Sequence, residues 1–86
     1  MTDATLEIAF TRGDHSTLPG GVILRYLNGQ YVAHHFSRQP GSSKPDAFFW
    51  GNYCDTLQKA RQAYRSKLSR VMDEIISPEQ IAKELT

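Results

Sequence analysis

Apolar residues along this chain recur with a period of two through its first half and with a period of three to four in its second. The strongest alternation surrounds Asn28-Gly29, between GGVILRYL and QYVAHHFSR, two runs rich in β-branched and aromatic residues. Asn-Gly readily takes the positive φ angles of a type I′ turn, whose twist suits an antiparallel hairpin. Strands are therefore expected over 21–27 and 30–37, with Leu27 opposite Gln30, Tyr26 opposite Tyr31, Leu24 opposite Ala33 and Val22 opposite His35. One face of this hairpin carries Val22, Leu24, Tyr26, Tyr31, Ala33 and His35. The other carries Ile23, Arg25, Leu27, Gln30, Val32, His34 and Phe36.

A further strand is expected over 47–54 (AFFWGNYC), after a loop (SRQPGSSKPD) defined by its proline, glycine and serine content. The segment 4–12 also alternates, with Leu6, Ile8 and Phe10 on one face and Glu7 on the other. Then the period changes. Asp55 and Gln58 have the spacing of a capping box. From there Leu57, Ala60, Tyr64, Leu68, Val71, Met72 and Ile75 recur at helical spacing, predicting a helix over 56–76. Ser77-Pro78 with Gln80 opens a second, short helix over 78–85. The pattern describes a single α+β domain over 1–86: a small antiparallel sheet of three or four strands, a long C-terminal helix packed on one face, and a short final helix.

Composition narrows the functional classes. Ten Lys and Arg against nine Asp and Glu give a net charge of +1, which selects no partner. No apolar run approaches the ~20 residues of a membrane span, so no membrane association is expected. The start, MTDATLEIAF, has no basic leader followed by an apolar stretch. The chain contains one cysteine, Cys54, which has no internal partner and fits a reducing compartment, with cytoplasmic localisation as the expectation.

Candidate chemistry is sparse. His34 and His35 are adjacent in a strand and so point to opposite faces. With Asp14, His15 and Cys54 they have no metal-ligand spacing, and neither a metal nor a cofactor is expected. Cys54 precedes a helix N-terminus, which favours a thiolate, and His34 or His35 is the base expected to reach it across the sheet. A thiol-dependent enzyme is thus the weakest of three readings, and no catalytic residue is assigned. Arg12-Gly-Asp14 reads as a turn.

Charge is unevenly distributed. From 59 to 70 there are five bases, Lys59, Arg61, Arg65, Lys67 and Arg70, and no acid, whereas 73–86 holds four acids and one base. A nucleic-acid-binding module using these bases, assisted by Arg25 and Arg38, is the second reading. The leading one rests on the aromatic residues of the sheet. One helix covers one face, so aromatics on both faces leave a surplus suited to contact with another protein or a second copy. The expectation is a small non-enzymatic binding or regulatory protein of the kind found among bacterial and phage accessory proteins, with Tyr31, His34, Phe36, Phe49, Trp50 and Tyr53 at the contact.

Overall fold

The computed structural model describes residues 3–13 and 18–85; Asp14 and His15, considered above as metal ligands, lie outside the described residues. Five strands, β1 (Ala4–Thr11), β2 (Gly20–Leu27), β3 (Gln30–Ser37), β4 (Ala47–Cys54) and β5 (Ile75–Ile76), form one antiparallel sheet in the order β4-β3-β2-β1-β5. Two helices follow β4 in the chain: α1 (Leu57–Arg70) and α2 (Pro78–Ala82). The fold is α+β.

The hairpin has the expected register, with Leu27, Tyr26, Leu24 and Val22 opposite Gln30, Tyr31, Ala33 and His35. Its turn residues Asn28 and Gly29 sit at φ 50° and 82°, the left-handed region that only such residues enter cheaply. Helix α1 covers the face carrying Val22, Leu24 and Ala33, and packs Ala60 and Tyr64 directly on them. Burial, and secondarily Glu7, raises the Tyr64 hydroxyl to about 12, so it remains neutral. On the opposite face Ile23, Val32 and Phe36 are also buried. Phe10 meets Phe36 edge-on at 6.2 Å. The two central strands are thus interior on both sides.

Three expectations change. The long helix ends at Arg70 rather than at 76, with Val71 at φ −121° closing it. Continuing to Ile76 would place Asp73 and Glu74 at the negative end of the helix dipole; stopping early leaves Lys67 and Arg70 there instead. Ile75 and Ile76 instead form a fifth strand, pairing with Thr11 and Phe10, and Arg12 extends the contact by donating to the carbonyls of Glu74 (2.9 Å) and Asp73 (3.2 Å). Second, the first helix cap moves by one residue. Thr56 accepts from the Lys59 amide at 3.2 Å, and Asp55 pairs with the Lys59 ammonium. Third, β1 is bulged at Leu6, so Glu7 lies opposite Leu24 and reaches Arg61 of α1 at 3.6 Å. The cap of α2 matches expectation, with the Gln80 side chain accepting from the Ser77 amide at 2.9 Å.

Candidate functional site

β4 is an outer strand of the sheet, with β3 as its one strand neighbour among the described residues. It carries no charged side chain, and every residue from Ala47 to Tyr53 is exposed. Trp50 is 73% exposed, Tyr53 60%, Phe48 43% and Phe49 40%. Edge strands ordinarily carry charge, proline or a covering segment, because their outward amides and carbonyls accept another strand. A bulge is the device β4 does have. Trp50 and Gly51 together oppose His34, and the register shifts between Ala33 and His35.

Within this bulge Trp50 takes φ 54°, where a Cβ meets the following carbonyl at a cost of ~1–2 kcal/mol. Two contacts on the α1 side hold it there. Lys67 donates to the Trp50 carbonyl at 2.7 Å. The indole packs edge-on against Phe49 (4.9 Å) and His35 (5.4 Å), which are themselves stacked at 6.0 Å. Bulges re-aim side chains, and strain of this kind persists where the surroundings over-determine it.

Two flanks line the strand. On the α1 side a shallow polar groove runs between helix and strand, lined by Asn52, Ala63, Ser66, Lys67 and Arg70. On the other side Arg25 lies over the Phe48 ring at 4.4 Å, and His34 stacks on the same ring at 4.5 Å. The field here is positive. Burial and then Arg25, Lys67 and His35 hold His34 down at about 4, while burial, Lys67 and Arg70 lower His35. Burial and Arg70 lower Lys67 as well. Both imidazoles are neutral at pH 7.

The residues singled out from the sequence divide between surface and interior. Phe49, Trp50 and Tyr53 are presented along β4, and half-buried Tyr31 packs beside the core. His34 and Phe36 are interior, at 4% and 2% exposure, and support Phe48 from beneath rather than meeting solvent. Phe48 itself, not singled out beforehand, belongs to the exposed set.

The bases are not gathered into one surface. Arg38 is wholly buried and bound to Glu84. Arg25 lies on the face away from α1, Lys59 pairs with Asp55 and Arg61 with Glu7. Arg65 and Arg70 are exposed on α1, with Lys67 half-buried between them.

Cys54 is half-buried at the edge of the core, its thiol directed to the Asn52 carbonyl at 3.8 Å. It lies opposite Tyr31, so His34 and His35 are three and four residues, or ~10–13 Å, farther along β3. Thiol and imidazole are not brought together. Among the described residues no group of three or more His, Cys, Asp and Glu is placed to hold a metal ion. No helix among them is long and apolar enough to cross a membrane. Compared with known protein families, curated proteins and solved structures, the chain gives no significant match.

Proposed function

We propose that this chain is a small non-enzymatic binding protein that engages another polypeptide along β4. The observation that carries this reading is an eight-residue outer strand with no charge and four exposed aromatic side chains. Strand addition uses the edge backbone for affinity and alternate side chains for selectivity. With ~200 Å² per aromatic side chain, the exposed fractions amount to about 430 Å². That is roughly half of the ~800 Å² each partner contributes to a standard interface. The backbone edge and the α1 flank supply the remainder. Phe49, Trp50 and Tyr53 form the contact, with Tyr31, His34 and Phe36 fixing the strand from behind.

A photo-crosslinking amino acid at position 53, introduced in cells that make the protein, tests the reading. A discrete polypeptide adduct is expected, lost when Phe49→Lys places a charge on the strand and not formed from position 79 of α2. Adducts only with nucleic acid, or equal yields from positions 53 and 79, would refute it.

A further inference from the structure

We infer that the segment received by β4 is an extended acidic one, whose carboxylates enter the groove between α1 and β4 and meet Lys67 and Arg70. This rests on the docking reading above and adds the chemistry of the partner.

A strand laid beside β4 alternates its side chains between the two faces of the sheet. Those turned toward α1 face the groove, where the Arg70 guanidinium, the Lys67 ammonium, the Ser66 hydroxyl and the Asn52 amide supply hydrogen-bond donors. Those turned away face Phe48 and Tyr53, since Phe48 is opposite Phe36 and Tyr53 opposite Val32. The matching pattern is acidic on one face and apolar on the other.

Electrostatics select the acid. Among the described residues no carboxylate pairs with Lys67 or Arg70, although Arg38, Lys59 and Arg61 each have one. Burial and then Arg70 lower Lys67, and both histidines behind the strand are lowered first by burial and then by the neighbouring Arg25, Lys67 and Arg70. A carboxylate placed there relieves repulsion that the free protein cannot relieve itself. A second copy of this chain does the opposite. Pairing β4 with β4 about a two-fold axis sets Lys67 and Arg70 of both copies along one seam, and β4 brings no acid to meet them.

The test is titration of Trp50 fluorescence, unique in the chain, with a capped octapeptide alternating Glu and Val, the same peptide with Gln for Glu, and a twelve-residue oligo-dT. Sedimentation of the free protein accompanies it. The Glu peptide is expected to bind at least tenfold more tightly than the Gln peptide, weakening as salt rises, and Arg70→Glu is expected to erase that preference while leaving the far-UV spectrum unchanged. Equal binding of the Glu and Gln peptides would overturn the acidic partner and leave strand docking standing. No binding of either peptide at millimolar concentration would overturn both. Tighter binding of oligo-dT, abolished by Arg70→Glu, would assign the groove to phosphates instead. A dimer that dissociates on Tyr53→Lys would assign the edge to a second copy.

Discussion

Replacing Glu84 by Gln preserves the shape of the side chain and removes a charge that the fold has enclosed. Arg38 is fully buried and uses all five of its N–H donors. They go to the Gly20 carbonyl (3.3 Å), the Ser42 carbonyl (3.1 Å), the Thr11 carbonyl (3.0 Å) and both oxygens of Glu84 (2.6 and 2.9 Å). In Glu84→Gln the amide oxygen can keep Arg38 and the Gly41 amide, now 2.9 Å away, but the new NH₂ faces a guanidinium N–H. Removing one partner of a buried pair costs about 3–5 kcal/mol because the other charge is left uncompensated. The Glu84 side chain is 16% exposed, so partial hydration trims this to about 2–4 kcal/mol. Against the ~4–13 kcal/mol total expected for a domain of this length, the loss is plain in urea unfolding followed by circular dichroism. The midpoint should fall by roughly 2–4 M for a slope near 1 kcal/mol/M.

The pH dependence separates lost charge from lost packing. Hydrogen bonds from Arg38 hold the Glu84 carboxyl below its ordinary value of 4.5, so its stabilising contribution is present above that pH and lost as pH falls below it. The gap between wild type and Glu84→Gln should be constant at neutral pH and narrow in acid. A gap under about 0.5 kcal/mol at pH 7, where even surface substitutions commonly fall, would refute the account.

Two further outcomes are expected. A Cβ on Gly21 would run into the Ala9 carbonyl oxygen and come within 2.5 Å of the Phe36 ring, both held in the sheet interior. Gly21→Ala should therefore cost about 1–3 kcal/mol, more than Gly29→Ala, where the space is open and only φ +82° opposes it; reversed order in urea midpoints would contradict this packing. His34 is held at about 4 against an ordinary 6.5, so the unfolded chain takes up its proton first. Stability should be full above pH 6.5 and decline toward pH 4 by up to about 3 kcal/mol. Replacing His34 by Phe should flatten the profile between pH 5 and 7, and an unchanged slope would show that His34 is not its source.

Much of the fold is legible where a local signal coincides with a long-range one. Asn28-Gly29 sets the hairpin register because the turn residues and the flanking alternation agree. The end of α1 is less legible because Val71, Met72 and Ile75 continue the helical spacing by coincidence. Asp73 and Glu74, poor residues for a helix C-terminus, were the opposing signal. β5 is two residues long and has no period to detect. In β4, Gly51 alone marks the bulge, since an isolated glycine within a strand often does. It does not reveal that Trp50, rather than Gly51, takes the positive φ. Nothing local links Arg38 to Glu84, 46 positions away, so a base that reads as a surface contact proves to be the largest fully buried side chain among the described residues.

The placement of β5 beside β1 has a kinetic consequence. Its partners, Phe10 and Thr11, are more than sixty residues earlier in the chain, and the Arg38 guanidinium that Glu84 meets also binds the carbonyls of Gly20 and Thr11, which face each other across β1 and β2. Contacts of such sequence separation are entropically slow to close, whereas the hairpin and α1 need only neighbours. The terminal segment is therefore expected to dock late, on a sheet already assembled. Interactions formed that late leave the folding rate almost untouched and instead govern how long a folded molecule survives before it opens.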